Sequence, residues 1–372
     1  PGKSTVVTLD AAQPRLKAGA EYFLNLSLSR KEKTLYAKAG HVVASEQMKL
    51  PYAAPQAPQA DLSALAALTL TDGDDAIVVG GEHFQATFNR SSGMLSSLIY
   101  AGEEVIFEGN GPRLNLFRAL VDNDNWLRRD VQRTGLRDLS YTVKEVSAEQ
   151  PSPGIVRVRC TVDCSVRADN GIVHTATFTF FGNGAIDVTN QVRPYGNLCV
   201  LPKLGVSLVL PKGFDTLTWL GRGPHESYVD RKRSADVGLY HGSVAEQYER
   251  YVRPQENGNK TDVRWAALTN RKQDGLLVVT DGTYSVSAHH NTAQDYDEAR
   301  NIHRVVPRDE VYLTIDVAHM GLGGASCGPR PLNEYILNAK PTRFRYSLRP
   351  ATRNLADDAR EQLPNLEAPL VT

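Results

Sequence analysis

Thr175-Ala-Thr-Phe-Thr-Phe-Phe181 and, shortly after it, Ala185-Ile-Asp-Val-Thr-Asn-Gln-Val192 decide the fold of this chain. Both runs are rich in β-branched and aromatic residues, and apolar side chains return at every second position. A period of two is that of a strand with one face in a core. Working outward, the same pattern recurs in Ala76-Ile-Val-Val-Gly80, Gln85-Ala-Thr-Phe88, Gly205-Val-Ser-Leu-Val-Leu210, Thr216-Leu-Thr-Trp-Leu220, Gly275-Leu-Leu-Val-Val-Thr280 and Val311-Tyr-Leu-Thr-Ile-Asp-Val317. Gly, Asn, Asp and Pro punctuate the runs, as in Phe88-Asn-Arg-Ser-Ser-Gly93 and Asp169-Asn-Gly171. No helix-period stretch longer than about ten residues competes. The pattern predicts an all-β domain of large stacked antiparallel sheets over 68–350.

Before it, Val6-Val-Thr-Leu9, Glu21-Tyr-Phe-Leu-Asn-Leu-Ser-Leu-Ser29 and His41-Val-Val-Ala-Ser-Glu-Gln-Met-Lys-Leu50 read as three strands. An immunoglobulin-like sandwich needs about seven, so 1–50 reads as part of one. The three prolines of Pro51-Tyr-Ala-Ala-Pro-Gln-Ala-Pro58 make 51–67 a linker, expected to be extended and exposed. Residues 351–372 read as a C-terminal tail, with a short helix near Asn354–Leu363.

The 372 residues carry 42 Lys+Arg against 42 Asp+Glu, so there is no electrostatic case for nucleic acid or an anionic membrane as partner. No run of 18 or more apolar residues is present. No secretory signal is visible; the chain opens at Pro1, which we expect to mark an excised piece. The compartment, cytoplasmic or periplasmic, stays open. Cys160 and Cys164 share one strand face about 13 Å apart at ~3.3 Å per residue, too far for a disulfide. With Cys199 they are expected to be buried structural residues.

Two segments concentrate polar chemistry. In Trp219-Leu-Gly-Arg-Gly-Pro-His-Glu-Ser-Tyr-Val-Asp-Arg-Lys232, a strand ends in a Gly-Pro turn and presents His225, Glu226, Tyr228, Asp230 and Arg231. Carboxylates there can accept from sugar hydroxyls and Tyr can pack on a ring face; equally, ion pairs can tie down an irregular loop. In Tyr251-Val-Arg-Pro-Gln-Glu-Asn-Gly-Asn259, the residues Gln255, Glu256, Asn257 and Asn259, with Arg264 beyond, can line a polar pocket or replace missing backbone partners. Asp122-Asn-Asp-Asn125 spaces oxygens for a hard cation but lacks the other offsets of a calcium loop. Gly321-Leu-Gly-Gly324 lacks a phosphate-loop fingerprint. The residues give no catalytic assignment and no metal site.

Together, Ala39-Gly-His-Val-Val-Ala-Ser-Glu-Gln47, Ser92-Gly-Met-Leu-Ser-Ser-Leu98, Leu116-Phe-Arg-Ala-Leu-Val-Asp-Asn-Asp124, Leu220-Gly-Arg-Gly-Pro-His-Glu-Ser-Tyr-Val-Asp-Arg231, Arg253-Pro-Gln-Glu-Asn-Gly-Asn259 and His319-Met-Gly-Leu-Gly-Gly-Ala-Ser-Cys-Gly-Pro329 resemble the C-terminal region of the bacterial β-galactosidases of glycoside hydrolase family 2. The resemblance implies the end of the second immunoglobulin-like domain followed by the terminal small-chain β super-sandwich, of galactose mutarotase-like fold. It implies a retaining hydrolase of terminal β-galactosides and a homo-oligomer. Both catalytic glutamates, and the Mg and Na or K ions, would lie in a (β/α)8 barrel absent from this stretch. Glu226 and Glu256 are not counterparts of that pair. The resemblance assigns to Gly321, Gly323, Gly324, Ser326 and Cys327 a loop at the rim of the barrel's pocket. Cys327 falls where well-known members place a sugar-stacking Trp, in a loop one residue shorter. Another class of function also fits, an autonomous galactose-binding or mutarotase-like module using His225 and Glu256 as acid and base.

Overall fold

A computed structural model describes residues 2–10, 12–167, 169–364 and 366. The chain divides into two compact units. One comprises residues up to Ala60 together with those from Arg360 onward, and the other runs from Asp61 to Ala359.

In the first unit, Phe23–Ser29 and Val42–Lys49 pair antiparallel as a two-stranded sheet. The expected strand at Val6–Leu9 does not form: Val6 is 93% exposed and the segment has no ladder partner among the described residues. A run of β-branched residues alone does not make a strand when no neighbour supplies the hydrogen bonds. The stretch expected to run extended and exposed is partly packed. Ala57 is buried, and Pro55 O accepts from Gly19 N at 2.9 Å. Gln362 returns to this unit, where its N donates to Pro58 O and its O accepts from Ala60 N.

The second unit is all-β and antiparallel, with a five-stranded and a twelve-stranded sheet. The five-stranded sheet is a meander from Thr69–Asp72 to Glu103–Glu104. The larger sheet follows Asp236–Ser243, Thr216–Gly223, Lys260–Thr269, Gly275–His289, Thr342–Ala351, Ile186–Tyr195, Asn170–Phe181, Ile155–Arg167 and Ser140–Ser152. The sheets share one core. Phe88 of the smaller sheet meets Phe178 and Phe180 of the larger edge-on, with ring centroids 4.9 and 5.9 Å away. Ile77, Val79, Val156 and Val188 join the same buried cluster. This is the two-layer arrangement the alternating runs call for.

One strand positions the polar half of the unit. Residues 275–280 of Gly275–His289 pair with Thr342–Ala351. Its far end, 285–289, pairs with Val311–His319. That strand in turn carries Lys203–Leu210, and then Arg113–Asn115. The sheet therefore branches, and Ser287, His289, Thr314, Asp316 and Lys203 come onto neighbouring strands. Among the described residues no helix is long and apolar enough to cross a membrane. Of the cysteines expected to be buried, Cys160 and Cys164 are, and burial pushes both thiols up to about 12. Cys199 is only half-buried, 3.4 Å from Thr134 Oγ1.

Candidate functional site

The loop after Val311–His319 is built on buried charge. Arg118, fully buried, donates to both carboxylate oxygens of Asp124 at 3.0 and 3.1 Å and to Met320 O at 2.7 Å. Asp124 also accepts from Val121 N at 3.0 Å. The Asp122-Asn-Asp-Asn run thus forms a 3-10 turn leading into the helix Asn125–Thr134, with one carboxylate committed to Arg118.

Asp230 links two candidate segments. Its carboxylate accepts from Leu322 N at 3.0 Å and Gly323 N at 2.7 Å. Asn123 fastens the other side, donating to Gly323 O at 2.6 Å and accepting from Ser326 N and Oγ at 3.1 and 2.6 Å. The close approach explains the glycines. A Cβ at Gly321 would lie 2.7 Å from Asp230 Oδ2, and one at Gly323 2.6 Å from Pro331 Cδ, with φ there at +61°. Gly324 O accepts from Cys327 N and Gly328 N, closing the tip as a turn. Ser326 and Cys327 are exposed. The base of the loop is fixed and its tip faces outward. Three residues beyond Cys327, Arg330 lies over the Trp126 ring, 4.5 Å from its centroid.

The segments around 226 and 256 are stitched together. Glu226 accepts from Gly258 N at 2.9 Å, and also from the Tyr251 hydroxyl and Arg231. Ser227 N donates to Asn259 O at 2.8 Å, and Asn259 Nδ2 returns a bond to Ser227 O at 2.7 Å. Arg231 also lies over the Tyr228 ring. Asn257, buried, accepts from Glu249 N and donates to Gln255 O. Arg264 donates to the Asp262 carbonyl. His225 is exposed and hydrogen-bonded to Ser234 Oγ at 3.0 Å.

The histidine facing Glu256 is His319, whose Nε2 lies 3.5 Å from Glu256 Oε1. Arg118 Nη1 is 3.0 Å from His319 Nδ1 and can only donate. Met320 O lies 3.2 Å from the same nitrogen, so Nδ1 sits between a donor and an acceptor. Burial opposes the charge on Glu256, yet His319, Lys203 and Arg118 hold its carboxyl down at about 2. Lys203, also buried, donates to Asp316 Oδ2 at 3.2 Å. Burial pushes Asp316 above the usual carboxylate range against the pull of Lys203. Sequence reasoning gave Lys203 and His289 no role in a site, and quoted Arg118 and His319 only as parts of blocks. Each is reached across more than thirty residues of chain, and no local period marks it.

Residues 80–348 match the family model described as β-galactosidase small chain, and residues 1–51 match β-galactosidase domain 4. The chain belongs to the β-galactosidase small-chain family. A β-galactosidase of Priestia megaterium is 34% identical over 307 residues, 82% of this chain and 29% of that protein. One of Vibrio cholerae is 29% identical over 362 residues, 92% of this chain and 33% of that protein. The chain spans about a third of the length of these relatives. Among solved structures, a putative mutarotase of Salmonella typhimurium superimposes with a TM-score of 0.40 and 12% identity, over 77% of this chain and 94% of that one. That is too loose a match to carry an argument about this small-chain unit. Among the described residues no three His, Cys, Asp or Glu side chains converge as a metal set.

Proposed function

We propose that this chain is the non-catalytic small-chain portion of a retaining β-galactosidase acting on terminal β-galactosides. In this reading the bond-breaking carboxylates belong to a barrel outside the chain, where a nucleophile and an acid/base stand about 5–5.5 Å apart. The residues here do a different job: loop 321–327 reaches the rim of that pocket, and other surfaces serve subunit contacts in a homo-oligomer. The observation that carries the reading is the form of the loop. Asp230, Asn123 and Arg118 fix its base, while Ser326 and Cys327 stand exposed at its tip. A loop that offers a few exposed atoms from a rigid support is how scaffolds position binding groups. The two glutamates in the candidate segments support a non-catalytic part. Glu226 is saturated by Tyr251, Arg231 and Gly258 N, and Glu256 faces His319, Lys203 and Arg118 as a permanently ionised group. Glu256 is not poised to give up a proton near neutral pH.

The test is a chromogenic β-galactoside assayed with the 372-residue chain alone and with the chain joined to a family barrel. We expect no turnover from the chain alone and turnover from the joined protein. Turnover by the chain alone that survives repurification overturns the reading.

A further inference from the structure

A cavity of about 250 Å³ opens between Lys203–Leu210, the far end of Gly275–His289, Val311–His319 and the short helix Ala293–Glu298. None of residues 321–327 lines it. It is far larger than the ~30 Å³ one water occupies in the liquid. It sits just below the ~300–1,000 Å³ typical of small-molecule pockets.

Its wall is polar and unevenly satisfied. Glu256 lines it and is 8% exposed, and its only described side-chain partner is His319 at an ion-pair distance of 3.5 Å. A buried carboxylate ordinarily accepts several shorter bonds. Lys203 is 2% exposed and has three donors, of which Asp316 takes one at 3.2 Å. His289 lines the same wall. Its Nε2 faces Asn257 O at 2.9 Å and must donate, so Nδ1 is a bare acceptor. That nitrogen is buried and has no partner among the described residues. Ser287 and Thr314, bonded to each other at 2.7 Å, also line it, as does Gln294 of the short helix, whose Nε2 donates to Arg137 O at 3.3 Å.

This set asks for a ligand that donates at one point and accepts at another. Two of the three cations at the wall are neutralised, Lys203 by Asp316 and Arg137 by Asp297 and Glu298. The third, Arg113, lies over the Tyr141 ring, 4.4 Å from its centroid, while Glu256 repels negative charge. A hydroxyl both donates and accepts. We propose that this cavity binds one neutral, pyranose-sized polyhydroxylated molecule, its hydroxyls donating to Glu256 and accepting from Lys203. The inference does not rest on the reading of loop 321–327.

The experiment is an amide-resolved NMR titration of the full chain with D-galactose, myo-inositol and inorganic phosphate in turn. Saturable shifts centred on Ser287, Asn291, Gln294 and Thr314 with at least one of the two polyols are expected. Glu256→Gln should weaken that binding roughly tenfold, the scale of one charge-assisted hydrogen bond. Because Glu256 sits in a buried charge cluster, Gln294→Ala serves as a second variant. It should weaken polyol binding while leaving the melting temperature unchanged. Saturable shifts with phosphate alone overturn the proposal, as does the absence of saturable shifts with either polyol. Polyol shifts confined to 321–327 also overturn it, and would speak instead for the rim loop.

Discussion

Asp230 and Asn123 hold the candidate rim loop from two sides, and the Asp230 carboxylate collects two successive backbone N–H groups. Replacing it with Ala leaves Leu322 N and Gly323 N without their acceptor, a loss of about 1–3 kcal/mol. Asp230→Ala should therefore lower the thermal midpoint and speed amide exchange at 322–323; unchanged exchange there would show that Asn123 and Arg118 hold the loop without it. The histidines set the pH response. Burial holds His174 and His289 near 4, below the ordinary 6.5. With the folded value depressed, the unfolded chain binds these protons first. Stability is full above pH 6.5 and falls as pH drops from there toward 4, by on the order of a few kcal/mol per histidine. Glu256, held near 2 against 4.5, adds a further loss below pH 4.5. Asp316, raised by burial, works the other way, since it binds its proton more tightly when folded. Melting from pH 7 to 5 should show the histidine slope, and His174→Gln should flatten part of it. A midpoint constant over that range would mean that both rings protonate in place at no cost.

At the scale of elements, the two-stranded sheet of Phe23–Ser29 and Val42–Lys49 has no further strand among the described residues to pair with either edge. Leu28, Val42 and Val43 are 67%, 49% and 57% exposed. A lone ribbon with open edges is marginal. Hydrogen exchange should be faster at 23–49 than over the strands of Asn170–Phe181 and Ile186–Tyr195; equal protection would mean that the ribbon is covered in solution. Those two central strands were legible because their apolar side chains lie on one face, which leaves period-two alternation in the sequence, although Thr175, Thr177 and Thr179 on the other face are buried too. Val6–Leu9 is likewise rich in β-branched residues and forms no strand, because pairing is a property of two segments and the sequence pattern describes one. The helix Asn125–Thr134 buries Leu127, Val131 and Thr134, spaced four and three apart. That signal is readable but only ten residues long, and the preceding Asp122-Asn-Asp drew attention to metal chemistry instead. The segments around 225 and 256 and the 321–327 loop were legible as dense polar or glycine-rich stretches. Their mutual contacts, such as Asp230 with Gly323, span about ninety residues and leave no trace in local spacing.

For the whole molecule, the deciding position is Cys327. Its side chain is exposed at the tip of a loop whose base is fixed, so it contributes contact without supporting a core. Cys327→Ala should therefore leave stability within about 0.5 kcal/mol, as surface changes away from caps and cores do. Cys327→Trp adds a flat apolar face at the same point. Stacking of that kind is worth on the order of 1 kcal/mol by analogy with aromatic pairs, or roughly fivefold in an equilibrium constant. In the joined protein with a family barrel, the Trp variant should shift KM or the preference among aglycones, with the melting temperature unchanged. The direction of the shift tells what the face meets. A lower KM at constant kcat means that the indole stacks on bound galactoside, whereas a lower kcat/KM means that it blocks entry. Both place the loop at the substrate. Kinetics identical to the Cys form, for several aglycones, would remove 321–327 from the rim and leave the loop a surface turn held by Asp230.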